Sequence, residues 1–478
     1  MGNPCNRRQF LERTAASGVM LAGGLAAQPR QAVADAEWPK MPPVKIHKVY
    51  LGDSGGAWPG PTFDAAAEIA RYEKYLAGVE RRLGDVKFVG GQQVKTADEA
   101  AKLAANLGDA DGLLLIQLNF SAGERSKPLV DTGRPTVMFV YPFSGHQWMY
   151  FSQWRRAGKK VLLLPTSDYR EMERAVALLR VPGRLRQTRI IQVGAPQGTA
   201  AACSAQQIKE RLGAEVIAIS NQEIIEAHAA VDLQAAEAEA DRYWISQAKH
   251  VVEPTREKIV DSARLYLAVR DLMIRQRAQA IASSHCMGAP AKCCLTFSKL
   301  NDLGLVGACE GDMDSTLTML IFAYAFGVPG FISDPLFDTS KNSVIHAHCT
   351  SATKLDGPGG KRAPFLIRTQ CDSNAGVSLE VQMCVGQEIT CAKLVNLDTM
   401  LISAGKITEI PDYEDRGCRT QITTQVADAR KMVDNWGSGV LEKEDMMTLL
   451  HRVVFYGNHL QDVRDLGTLM GMKVVMEG

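Results

Sequence analysis

The apolar run Val306-Gly307-Ala308-Cys309 breaks into Glu310-Gly311-Asp312-Met313-Asp314, and a hydrophobic segment then leads to Phe331-Ile332-Ser333-Asp334. Carboxylates at the mouth of a strand built for burial do one of two things. They cap the helix that follows, or they hold something positive. Asp312 and Asp314 stand where a cap belongs, before a helix expected from about Ser315. Glu310 stands at the strand end itself, where open α/β sheets bind their ligands. Asp334 is expected at the end of the next parallel strand, one crossover later, so that both carboxylates reach one crevice. His346 and His348 are two apart in an expected strand and share a face. One is read as a metal ligand and the other as a wall of the site.

Such residues need a scaffold. Between Lys45 and Arg180, short apolar runs (KIHKVYLG, VKFVGG, ADGLLLIQL, PTVMFVYP, KKVLLLPT) alternate with helical patterns. One of these helices opens at Thr96 with Glu99 three residues on, a capping box. A second alternating unit begins at TRIIQVGAP, passes through a helical stretch from Gln222 to Gln276 broken at Pro254, and ends with AQAIASSHCM and LGLVGACEG. Alternation of this kind predicts parallel sheets with helices on both faces. After about Lys341 the helical periodicity stops, and short strands between Gly/Pro/Asp turns predict a small barrel. The expected fold class is α/β: two doubly wound parallel-sheet domains, 43–185 and 186–340, then a small β-barrel-like C-terminal domain, 341–478. Neither unit has G-x-G-x-x-G after its first strand, and no phosphate loop is present.

Bulk composition narrows the partners. Lys+Arg 54 against Asp+Glu 53 leaves no net field to recruit nucleic acid or an anionic membrane surface. A small neutral molecule or a protein partner fits that balance better. Residues 1–36 resemble a twin-arginine export signal: Arg7-Arg8, Phe10-Leu11, a Gly/Ala-rich apolar run from Thr14 to Ala27, and small residues around Ala32–Ala36. That run is too short for a stable membrane span. The expectation is a folded, exported, periplasmic protein with no membrane insertion after signal removal. The 11 cysteines have no zinc-site spacing and read mainly as buried thiols, with one or two disulfides open.

ACEGDMDSTLTMLIFAYAFGVPGFISDP and NSVIHAHCT resemble the C-terminal half of the L-fucose isomerase and L-arabinose isomerase superfamily. LLHRVVFYGNHLQDVRDL resembles its late segment, in which a strand histidine precedes an LxD-hydrophobic-R helix. Many members have two adjacent histidines there; this chain has Leu450-His451. The resemblance is dense over 304–349 and 450–475 and weak over the first 270 residues. It implies a metal site of Glu310, Asp334, His348 and His451, usually holding Mn2+, with Glu310 and Asp334 also serving as catalytic acid/base. It implies two α/β domains followed by a β-barrel-like one, and a homo-oligomer, a trimer or hexamer. Two carboxylates and two imidazoles suit Mn2+ better than a thiolate-seeking metal.

The implied reaction is aldose–ketose isomerisation, in which a proton moves between C1 and C2 through a cis-enediol. A divalent cation stabilises the oxyanions and a carboxylate carries the proton. Export leaves two alternatives open: a carbohydrate-binding protein without turnover, and a metal-dependent hydrolase or lyase acting on a modified sugar. His459, at the start of the final helix, reads as a surface cap. The aromatic stretch from Tyr141 to Trp154 reads as an exposed turn with core aromatics, or as a sugar-stacking loop. Gly52-Asp53-Ser54-Gly55-Gly56 has the letters of a serine-nucleophile elbow, but Trp58-Pro59-Gly60-Pro61 follows where a helix must start.

Overall fold

A computed structural model describes residues 38–54, 58–120, 123–288, 290–411, 416–437 and 450–478. The leader expected over 1–36 lies outside the described residues. The first sheet is β1 (Val44–Leu51), β2 (Val86–Val94), β3 (Gly112–Gln117), β4 (Thr136–Val140) and β5 (Val161–Pro165), in the order β2-β1-β3-β4-β5 and parallel throughout. β3 and β4 are buried at every position, as continuous Leu/Ile/Val/Phe runs demand when helices cover both faces. Thr96 caps its helix by accepting from Glu99 N at 3.1 Å, while Glu99 reaches back to Lys95 N at 2.6 Å. The capping box is therefore shifted by one residue. Ser54 Oγ accepts the Ala65 amide at 3.0 Å at the start of the helix Ala65–Leu83, a structural use for that serine.

The second sheet holds β6 (Arg189–Val193) and β7 (Glu215–Ile219). β8 (His250–Val251) leaves to pair elsewhere, and β9 (Ala280–Ser283) and β10 (Val306–Cys309) return, giving the parallel order β10-β9-β6-β7. The helical stretch read from Gln222 to Gln276 is divided into Asn221–Ala230, Leu233–Glu239, a π-helical turn Ala240–Ile245, and Arg256–Gln276.

The remaining strands are β11 (Phe331–Asp338), β12 (Ser343–His348), β13 (Phe365–Gln370), β14 (Ala375–Val381), β15 (Glu388–Val395), β16 (Thr399–Glu409), β17 (Thr420–Gln425), β18 (Arg452–Tyr456) and β19 (Lys473–Met476). Seven of them form a mainly antiparallel sheet ordered β15-β18-β11-β12-β17-β16-β19, in which β15 also pairs with β16. β14, β13 and β8 make a small fourth sheet.

One expectation is overturned. β11, the strand carrying Asp334, does not extend the parallel sheet of β10. It pairs antiparallel with β12 and β18, placing Asp334 opposite Ala347 and Ser333 opposite Arg452. The helix Met313–Phe326, apolar nearly all round, explains the change. It is buried between the parallel sheet and the antiparallel one, touching β9, β10, β15 and β18, and Phe322 stacks on Phe455 of β18 at 3.7 Å. The chain thus crosses to the neighbouring sheet instead of returning to its own.

β10 is pinned from behind. Asn301 Oδ1 accepts the Gly307 amide at 2.9 Å, and a Cβ on Gly307 would sit 2.6 Å from the Phe297 Cα. Gly307→Ala is expected to lower unfolding free energy by about 1–3 kcal/mol through overpacking against backbone, measured by urea denaturation.

Candidate metal centre

Glu310 occupies the first position after β10 with φ +58°, a left-handed conformation rare for a residue with a side chain, and Gly311 continues it at φ +70°. The neighbouring loop clamps this turn: Gln197 N donates to Gly311 O at 2.9 Å, and Met313 N donates to Gln197 O at 2.9 Å. Left-handed backbone costs about 1–2 kcal/mol for an ordinary residue. Here it lifts the carboxylate away from the sheet into a cleft of about 530 Å3 lined by Gln197, Gly198, Ser284, Cys286 and His451. Half of the Glu310 side chain remains exposed, 49% of its surface.

Two imidazoles from the antiparallel sheet face it. His348, the last residue of β12, has Nε2 3.8 Å from Glu310 Oε1; His451, just before β18, has Nε2 3.6 Å from Glu310 Oε2. Donor atoms of Glu310, His348 and His451 all lie within 4.8 Å of one another. Asp334 borders the group, with Oδ1 3.4 Å from His451 Nε2. The structure therefore gathers three of the sequence-expected residues tightly, and the fourth stands at their edge.

The roles of the other two acidic residues separate. Asp312 caps the helix Met313–Phe326, accepting from Ser315 N at 2.8 Å. Its Oδ2 also accepts from Ser315 Oγ at 2.7 Å, Lys393 Nζ at 2.7 Å and His451 Nδ1 at 2.9 Å. Burial opposes its charge, but Lys393 and His451 hold the carboxyl well below the usual range. A carboxylate only accepts, so His451 carries its proton on Nδ1 and turns the Nε2 lone pair into the cleft. That Nε2 is buried and has no hydrogen-bond partner. A buried acceptor without a donor, facing a carboxylate and a second imidazole, fits a cation. Asp314 is a buried structural group: it accepts from Thr199 N at 2.6 Å and Thr199 Oγ1 at 2.8 Å.

The local field favours positive charge. Burial works against a proton on His348, yet Glu310, Cys349 and Asp334 raise its pKa to about 9. His348 in turn lowers the Glu310 pKa, against desolvation. Desolvation raises that of Asp334. His346 behaves otherwise. Burial, with Arg452 nearby, lowers its pKa to about 3. Ser333 Oγ donates to Arg452 O at 2.9 Å, so neutral His346 donates Nδ1–H to Ser333 Oγ at 2.8 Å. His346 is a wall of the fold and ties β12 to β11. His459 stacks on Phe326 at 4.1 Å and bonds Tyr456 O through Nε2 at 2.9 Å, which gives it a packing role. Two acidic residues of the final helix grip Arg174 of the first domain, Asp462 at 2.5 Å and Asp465 at 2.7 Å.

Lys393 was not singled out from the sequence. It sits inside the apolar run of β15 and is fully buried. A lysine at a buried strand position is itself a signal, because it demands a buried carboxylate. The stretch from Tyr141 to Trp154 exposes Phe143 and Trp148, where His146 meets Trp58 at 5.2 Å, Phe120 at 5.5 Å and Trp148 at 6.3 Å, while Trp154 is buried in the core. The exposed group lies beyond the carboxyl ends of β1, β3 and β4, in a different sheet from Glu310.

Comparison with known proteins gives one limited similarity. No family model matches the chain. Over 115 residues it is 32% identical to the sulfoquinovose isomerase of Clostridium sp. (strain MSTE9). The match takes in 22% of this chain and 25% of that protein, so the chain spans about a quarter of the length of the curated relative it matches. Over that stretch this chain is similar to a sugar isomerase.

Two outcomes follow for the acidic residues. Asp312→Asn leaves the Lys393 ammonium buried without its counter-ion and is expected to cost about 3–5 kcal/mol. The double variant Asp312→Asn/Lys393→Met should recover most of that loss in denaturant unfolding. For Asp314, burial raises the pKa to about 7. The unfolded carboxyl titrates at about 4, so the folded state binds the extra proton between those values and stability falls as pH rises through them. Asp314→Asn keeps an acceptor for the Thr199 amide. It should remove up to roughly 1.4 kcal/mol per pH unit of that slope, read from unfolding curves at matched pH.

Proposed function

We propose that this protein is a metal-dependent isomerase of a sugar or modified sugar, interconverting an aldose and a ketose through a cis-enediol. One observation carries the reading: the Glu310 carboxylate and two imidazole Nε2 atoms converge beside a cleft that Glu310 and His451 line, and His451 Nε2 is buried there without a partner. Glu310, His348 and His451, with Asp334 beside them, would hold Mn2+ or a similar divalent cation. Bound there, it would supply Lewis-acid stabilisation of the negative charge that develops on the substrate oxygens.

The chain's own residues divide the remaining work. The cleft is of a size that admits one sugar. Environment pushes the proton affinities of the two carboxyl groups apart, Glu310 down beside His348 and Asp334 up by desolvation. That divergence suits one group to remove the carbon-bound proton and the other to hand a proton over. Asp312 orients His451 and keeps its Nε2 lone pair directed at the site. The similarity to a sulfoquinovose isomerase supports a sugar-type substrate. The paired arginines at 7 and 8 support work outside the cytoplasm by the twin-arginine route. Oligomer formation, as a trimer or hexamer, belongs to the same proposal.

The test is exchange of the substrate C2 proton with deuterated water, followed by NMR across pentoses, hexoses, deoxyhexoses and sulfoquinovose. Metal-loaded protein should exchange at least one of them, and EDTA should abolish that exchange. Glu310→Gln should slow it by about 10²–10⁴-fold. Asp312→Asn/Lys393→Met should bind Mn2+ about 10–100-fold more weakly. Absence of exchange with every sugar by fully loaded protein would remove the isomerase reading.

A further inference from the structure

Beside the Glu310 group, three cysteines converge from three strand ends, Cys349 being the neighbour of His348 in sequence. Cys349 follows β12 directly, Cys371 follows β13 directly, and Cys418 stands two residues before β17. Their sulfur atoms all lie within 4.8 Å of one another, and those of Cys371 and Cys418 are 3.6 Å apart. All three are free thiols; Cys349 is buried and the other two are half-buried.

Cys371 Sγ donates to Asp372 Oδ1 at 3.2 Å, and other contacts fix the backbone around the cluster. Arg419 Nε donates to Thr369 O at 2.8 Å, and Gln421 Nε2 donates to Cys418 O at 2.9 Å. The thiols are therefore presented by a prearranged frame. A disulfide would join only two of the three sulfurs, and buried Cys294 is a further thiol in reach of Cys349. Zinc–thiolate bonds of about 2.3 Å in a tetrahedral arrangement place neighbouring sulfurs about 3.8 Å apart, close to the Cys371–Cys418 spacing. The donors are all soft, whereas those at Glu310 are oxygen and nitrogen.

The geometry points to a second metal site, in which the thiolates of Cys349, Cys371 and Cys418 bind a thiophilic d10 cation, Zn2+ or Cu+, and clip together the ends of β12, β13 and β17. Each thiol releases its proton to solvent as its sulfur ligates, and no oxidant or reductant is consumed. Cys371 and Cys418, on the half-exposed side, leave water to fill a fourth position around Zn2+. The proposal does not rest on the isomerase reading, because none of its three ligands belongs to the Glu310 group, although Cys349 adjoins His348.

The experiment compares the full-length protein with Cys371→Ser/Cys418→Ser after loading with Zn2+, or with Cu+ under anaerobic conditions, and dialysis. Metal analysis should find one more equivalent of the soft cation per chain in the parent than in the variant. Peptide mapping of the parent alone removes any dependence on how well the variant folds. With metal bound, Cys349, Cys371 and Cys418 should react with iodoacetamide roughly tenfold or more slowly than after chelator treatment. Equal metal content in the two proteins would overturn the proposal. So would equal alkylation with and without metal, or recovery of a Cys371–Cys418 disulfide from protein purified without reductant.

Discussion

The centre depends on one buried carboxylate oxygen. Asp312 Oδ2 receives Lys393 from β15, Ser315 from the helix it caps, and His451 from the segment entering β18. These donors come from three parts of the chain that share no local sequence. A charge with no access to water must be matched on the spot, so this oxygen fixes where the parallel and antiparallel sheets meet. The same bond sets the His451 tautomer. Stability of the seam and the direction of a lone pair in the cleft are thus two results of one interaction.

The arrangement around that oxygen explains why the acidic cluster has three members with three fates. Glu310 is lifted into the cleft by left-handed backbone. Asp312 is held in the wall by donors on every side. Asp314 is turned inward to Thr199 and, through Thr199 Oγ1, to the Asn396 amide at 3.0 Å. Spacing of two along a strand-to-helix turn changes direction at each step. Asp312 and Asp314 are both buried, but Asp312 is bonded to Lys393 and His451 whereas Asp314 is bonded to neutral Thr199, and their proton affinities move in opposite directions.

Much of the parallel scaffold was legible because its signal is local. Runs such as LLLIQL and TVMFV are long enough and apolar enough to read as buried strands, and the intervening helices carry their own caps. Glu310 was legible because a carboxylate ending a buried strand is costly without a use. The sheet to which Asp334 belongs was not legible. Its strand follows a helix just as a parallel strand would, and only packing of the Met313–Phe326 helix against Phe455 sends it to the other sheet. Lys393 was overlooked because an apolar strand pattern masks a single buried charge whose partner is 81 positions away. The three clustered cysteines share no spacing motif, since each is delivered by a different strand end.

Glu310 rides on the parallel sheet, while Asp334 and His348 ride on the antiparallel one and His451 sits at its β18 end. The separation between the two imidazoles is set within the antiparallel sheet. The separation of either from Glu310 is set across the junction of the two sheets. The Asp312 bonds to His451 and Lys393 cross that same junction, so the pairing that fixes the seam also fixes how far the Glu310 carboxylate stands from the imidazoles.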